Sequence, residues 1–181
     1  MVRIYTRTGD EGQTGLGDGT RVAKSHPRVA ACGELDELGA LLGVALASEP
    51  GPEVAALLLD VQRDLLAAGA DLARPRPRGE PRHPKSGLAQ GHVDRLEAAI
   101  DRFEAELPPL SAFLLPGGGS VGAHLHLCRA VCRRVERTVV GLAQESAVEA
   151  VVIVYLNRLS DLLFVLARHA NQRAGRAEER W

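Results

Sequence analysis

Cys128-Arg-Ala-Val-Cys-Arg-Arg-Val-Glu-Arg137 places four arginines and one glutamate in ten residues of a segment that otherwise reads as an apolar helix. At about 100° per residue, Arg129, Arg133 and Arg137 fall on one arc, each four residues from the next. Cys128, Cys132, Val135 and Val139 fall on a neighbouring arc, and Glu136 lies between the two. The spacing predicts cations that border an apolar stripe. Guanidiniums stacked on one face repel one another unless anions sit among them. A polyphosphate would supply that charge, and so would carboxylates from another helix. A solvated face with local Glu–Arg pairs is the plainer reading of the same pattern.

The segments on either side are also helical in period. Ser25-His26-Pro27 reads as a helix start with a capping hydroxyl and an early proline. The first helix runs to about Ser48, carries the acidic cluster Glu34, Asp36 and Glu37, and ends before Pro50-Gly51-Pro52. A second helix spans about Glu53 to Ala73 and a third about His92 to Leu107, stopped by Pro108-Pro109. Residues 74–91 between them hold prolines at 75, 77, 81 and 84 and form an irregular basic connection. No aromatic is interleaved there for base stacking, which argues against nucleic acid as a partner. The fourth helix spans about Val121 to Glu145 and contains the arginine-rich stretch. The fifth, about Ala147 to Ala174, is apolar almost all round, so it is central. Its Asn157, Asp161 and Arg168 share one stripe and need partners.

Composition agrees. The 181 residues suffice for one domain with a sizeable core, and only 3% are aromatic, so that core is Leu, Val and Ala in packed helices. A net charge of -1 gives no global attraction to nucleic acid or to a membrane surface. Three cysteines, Cys32, Cys128 and Cys132, are an odd count without framework spacing and point to a reducing compartment. The N-terminus shows no signal core, and the apolar run near Val151–Leu156 is too short to span a bilayer. The expectation is a cytoplasmic protein.

Residues 1–24 are rich in Gly and Thr, with glycines at 9, 12, 15, 17 and 19 that rule out a stable helix. Such a segment brings N–H groups and Thr hydroxyls close to a phosphate. It is neither a Walker A loop nor a dinucleotide fingerprint, and a flexible arm would look much the same. Phe113 precedes a glycine turn and is either core or the wall of a pocket. His124, Cys128 and Cys132 recur every four residues. Metal ligation by them competes with plain burial, which their place on the packing face favours.

Five motifs in order carry a resemblance: Thr6-Arg-Thr-Gly-Asp-x-Gly-x-Thr14, Asp36-Glu-Leu, Phe113-Leu-Leu-Pro-Gly-Gly118, Arg129 to Arg137 and Leu156-Asn-Arg-Leu-Ser-Asp161. Over almost its whole length the chain resembles the PduO-type ATP:cob(I)alamin adenosyltransferases. The resemblance implies an all-α, five-helix bundle with ferritin-like up-down packing and a Gly/Thr-rich N-terminal loop, assembled as a homotrimer. It implies a single domain over 1–181, with an ATP-binding loop at 1–24, the bundle at 25–174 and a C-terminal tail at 175–181. The implied reaction transfers the 5′-deoxyadenosyl group of ATP to cob(I)alamin, with Mg²⁺ accompanying ATP. Carried over by motif, ATP would be held by Thr6, Arg7, Thr8, Gly9, Thr14, Gly15, Lys24, Arg133, Arg134, Val135, Glu136, Arg137 and Asn157. Asp36 and Arg129 would pair across the subunit boundary and act with Arg133 in catalysis. Phe113 would lie under the corrin ring, and no protein metal ligand is implied. A cobalamin reductase or an adenosylcobalamin-dependent enzyme would be a further partner. Cys32 stands where the family often has tyrosine, and the 74–91 loop has no distinctive match. The competing readings are an ATP-binding bundle with a phosphotransfer or regulatory role and a helical interaction protein without activity.

Overall fold

The structure, a computed structural model, describes residues 4–77 and 87–181. Residues 78–86 of the basic connection lie outside the described residues. The chain forms β1 (Gln13–Gly15), β2 (Arg21–Ala23), α1 (Pro27–Ala47), α2 (Pro52–Leu72), α3 (Gln90–Glu104), α4 (Ser120–Glu145) and α5 (Ala150–Arg173). All five expected helices are present. The hairpin is an addition: β1 and β2 pair antiparallel, with Thr14 opposite Val22. Its three-residue strands carry too little alternation to be read as strands from sequence.

Some boundaries shift for identifiable reasons. Ser25 does not cap α1. His26 does, its Nδ1 accepting the Arg28 N–H at 3.1 Å. α5 starts three residues later than expected, after the irregular, half-buried residues 147–149. There Arg28 donates to the Ala147 carbonyl at 3.4 Å, and Glu149 pairs with Arg76 at 2.9 Å.

α4 packs between α1 and α5, α2 packs on α1, and α3 packs on α5. The core is almost wholly aliphatic, as composition predicts: Leu38, Leu42, Leu58, Leu125, Leu156, Leu159 and Leu163 are fully enclosed. By length and composition α5 could cross a bilayer, but Leu156, Leu159, Leu162, Leu163 and Leu166 face the bundle interior. The expected polar stripe on α5 divides. Arg168 is buried, whereas Asn157 and Asp161 are exposed.

One buried polar cluster closes the bundle. Asp64 of α2, only 6% exposed, accepts from Tyr155 Oη of α5 at 2.9 Å and is bonded by Arg95 of α3. Burial first, and then the Asp64 charge, push the Tyr155 phenol far above its usual range. The phenol therefore stays a donor, and α2, α3 and α5 meet at one carboxylate. Tyr155→Phe removes a hydrogen bond to a buried charge and should cost about 1.5–3 kcal/mol of unfolding free energy by denaturant titration. An unchanged midpoint would remove the cluster from the account of stability.

Candidate functional site

The N-terminal segment folds back on itself. Arg7 takes a positive φ of 60°, Thr6 and Thr8 hydroxyls lie 2.8 Å apart, and Arg21 donates to the Thr8 carbonyl at 2.6 Å. Lys24 lies over Gly9: a Cβ at that position would stand 3.3 Å from Lys24 Nζ. Thr6, Thr8, Gly9 and Lys24 therefore form one exposed polar cluster. Arg21, which the sequence did not single out, braces it. Thr14 and Gly15 lie in β1, opposite Val22 and Arg21. The Arg7 guanidinium sits 5.5 Å from the Tyr5 ring centroid. The Gly17 N–H, donating to the Ala73 carbonyl at 2.7 Å, docks the hairpin at the C-terminal end of α2.

On α4 the run from Arg133 to Arg137 fans out instead of forming one wall. Arg133 and Arg137 are exposed, on the outward side with Val140. Arg134 turns to α1, where it pairs with Glu37 and lies 4.0 Å from Glu34. Val135 is fully buried in the core, so its side chain has no path to a ligand. Glu136 faces α5 and accepts from Asn157 Nδ2 at 3.2 Å. Glu136 and Asn157 thus meet between α4 and α5, while Arg133 and Arg137 stay exposed on α4. Arg134 is bound to α1 and Val135 belongs to the packing.

Arg129 and Arg133 open onto a groove of about 520 Å³ between α3, α4 and α5. Arg158, Asp161 and Phe164 of α5 share it, facing Glu97, Asp101 and Glu104 of α3. Arg129 is half-buried, its guanidinium carbon is 6.0 Å from the Phe164 ring centroid, and its Nε is buried without a hydrogen-bond partner. Asp36 lies elsewhere, exposed beside an apolar depression of about 280 Å³ between α1 and α2. One chain does not bring Asp36 to Arg129.

Phe113 lies near the opposite end of the bundle from the hairpin and is 81% exposed, so it is not core. The C-terminal segment pairs with it. Leu115 N–H donates to the Glu179 carbonyl at 2.9 Å, and Trp181 N–H donates to the Phe113 carbonyl at 3.0 Å. Residues 175–181 are therefore a strap across the segment before α4, a role the sequence reading did not give them. Beneath it His126 is 5% exposed, and burial, reinforced by the nearby Arg129 charge, lowers its pKa and keeps the ring neutral.

His124, Cys128 and Cys132 do not converge. His124 Nδ1 shares a hydrogen with Ser48 Oγ at 2.7 Å, and Cys132 Sγ donates to the Leu156 carbonyl at 3.3 Å. Among the described residues no group of three or more His, Cys, Asp or Glu side chains is placed to hold a metal ion.

A threonine–lysine cluster at one end, an arginine-lined groove on the flank and a bare aromatic at the other end give this helical bundle separate cationic and aromatic surfaces. Comparison with known proteins gives that bundle its family. The cobalamin adenosyltransferase family model matches residues 4–170. A corrinoid adenosyltransferase of Mycobacterium bovis is 47% identical over 174 residues, covering 94% of this chain and 90% of the relative. The human corrinoid adenosyltransferase MMAB is 42% identical over 180 residues, covering 98% of this chain and 72% of the relative. A phenylalanine-to-alanine variant of the PduO-type ATP:corrinoid adenosyltransferase from Lactobacillus reuteri, complexed with cobalamin and ATP, superposes with a TM-score of 0.91. It is 34% identical and covers 99% of each chain. The chain belongs to the cobalamin adenosyltransferase family.

The thiols give a measurable check on the packing. Burial pushes the Cys128 thiol up to about 12 and raises Cys132 further. Native protein at pH 8 should leave both unmodified by a thiol reagent, and denaturant should expose all three cysteines. Unfolded thiols lose their protons near about pH 8.5 while the folded ones keep theirs, so stability should fall as pH rises above about 8.5. Rapid native labelling of Cys128 or Cys132 would contradict the buried α4–α5 seam.

Proposed function

We propose that this chain transfers the 5′-deoxyadenosyl group of ATP to the cobalt of cob(I)alamin. Its membership of the family over residues 4–170 carries the reading, and a similar structure bound to cobalamin and ATP supports both substrates. The cobalt lone pair forms the Co–C5′ bond, the C5′–O5′ bond breaks, and its electron pair leaves on triphosphate. Cob(I)alamin is itself the nucleophile, so no Ser–His or Cys–His activation is needed. The protein must align C5′ with cobalt and stabilise charge growing on the leaving group.

Thr6, Arg7, Thr8, Gly9, Thr14, Gly15 and Lys24 supply donors and backbone space for the phosphates. Arg133 and Arg137 bring fixed positive charge, and Asn157 and Glu136 orient the nucleoside. Mg²⁺ enters on the triphosphate, which suits a cation that keeps substrate phosphates and water as ligands. Phe113 walls the lower face of the corrin, keeping out the axial base and water and so easing reduction to Co(I).

The functional assembly in this reading is a homotrimer. The unpartnered Nε of Arg129 and the exposure of Asp36 on another face support a site that a second copy completes. So does the outward stripe of Arg133, Arg137 and Val140 on α4. A cobalamin reductase supplies the electron and an adenosylcobalamin-dependent enzyme uses the product. The free thiols Cys32, Cys128 and Cys132 suit the cytoplasm.

Arg133→Ala should lower kcat by about 10²–10³-fold, as removal of a charge-stabilising donor does. Normal turnover would sink its phosphate role. Phe113→Ala should leave bound cob(II)alamin with its lower axial ligand, seen by electron paramagnetic resonance. Wild-type coordination in that variant would sink the wall.

A further inference from the structure

The segment that presents Phe113 is held from inside by one side chain. Asn171 of α5 is 2% exposed. Its Nδ2 donates to the Gly117 carbonyl at 3.0 Å, and its Oδ1 accepts the Gly119 N–H at 3.0 Å. Between these two bonds Gly118 takes φ 103°, a left-handed conformation that a side chain resists. A Cβ at Gly118, or at Gly122 on the first turn of α4, would overlap the Asn171 amide. Two glycines thus leave the space that this amide fills.

The same residue also starts the strap. Its backbone carbonyl accepts the Arg176 N–H at 2.9 Å, and the strap then pairs through Glu179 and Trp181 with Leu115 and Phe113. The side chain fixes one end of the 113–119 segment and the backbone begins the brace on the other. Among the described residues, no other side chain hydrogen-bonds this segment. The Phe113 ring is 81% exposed, so its height above the bundle is set by its backbone and not by neighbours packed against it.

We propose that Asn171 is a positioning residue for the Phe113 wall: by clamping the Gly117–Gly119 turn it fixes how far the ring projects toward the corrin. The inference rests on the reading of Phe113 given above. An amide is the group the turn requires, because it must donate to one backbone carbonyl and accept from one backbone N–H within a single plane. Asp at this position keeps the acceptor, loses the donor and sets a carboxylate against a carbonyl. Ala loses both bonds. A shift of about 1 Å in a substrate-positioning group costs on the order of 10²-fold in rate.

The test uses the protein with ATP, Mg²⁺ and cob(II)alamin, with a chemical reductant added for the turnover assay, comparing Asn171→Asp, Asn171→Ala and Phe113→Ala. The four-coordinate fraction is read by electron paramagnetic resonance, kcat and the KM for ATP by turnover, and folding by thermal melt. Asn171 lies roughly 20 Å along α5 from Asn157, at about 1.5 Å per residue. Both Asn171 variants should therefore keep the KM for ATP while the four-coordinate fraction and kcat fall about ten-fold or more. Wild-type coordination and kcat in Asn171→Asp, alongside a defective Phe113→Ala, would overturn the Asn171 role alone. Wild-type coordination in Phe113→Ala would remove the wall reading and this inference with it. An Asn171→Asp protein that fails to melt cooperatively, or whose KM for ATP moves as far as kcat, would make Asn171 a general fold residue and overturn the proposal.

Discussion

α4 must serve two neighbouring helices and an open face at the same time, and a helix gives it only about 100° per residue to do so. Cys128, Cys132, Val135 and Val139 fill the seam. Arg134 is left to α1 through Glu37, and Glu136 to α5 through Asn157. Arg133 and Arg137 remain outward. Each polar position is thus where the buried ones force it to be. Arg129, which lines the groove, keeps a buried Nε without a hydrogen-bond partner.

Much of this was legible. Periodicity located every helix because the core is aliphatic and each helix buries a regular stripe. The proline pairs and Pro-Gly-Pro supplied the breaks. Cys128 and Cys132 were readable as core because they fall on the Val135–Val139 arc. The hairpin was not legible, because Gln13–Gly15 and Arg21–Ala23 lack an apolar face and are held by backbone pairing and by docking on Ala73. Val135 stands between Arg134 and Glu136 in sequence but points into the core, because neighbours in a motif are not neighbours on a helix face. Buried Arg28, bonded to the Leu72 carbonyl at 2.6 Å, carried no sequence signal, since a charged residue at a helix start reads as exposed. Nor did Asn171, whose partners are backbone groups more than fifty residues away.

The bundle separates its tasks along its length. Hairpin, Lys24 and the N-terminal half of α5 lie toward one end. Phe113, the Gly117–Gly119 turn and the C-terminal strap lie toward the other. Between them run Arg129, Arg133 and Asp161 along the groove.

The central claim is the bond that breaks in ATP. Mixing the protein with ATP, Mg²⁺ and chemically reduced cobalamin, and following cobalt spectra beside ³¹P NMR, reads it directly. The account predicts one triphosphate released for each adenosylcobalamin formed, with no ADP. Formation of ADP and phosphate, or triphosphate without a cobalt–carbon bond, would contradict it.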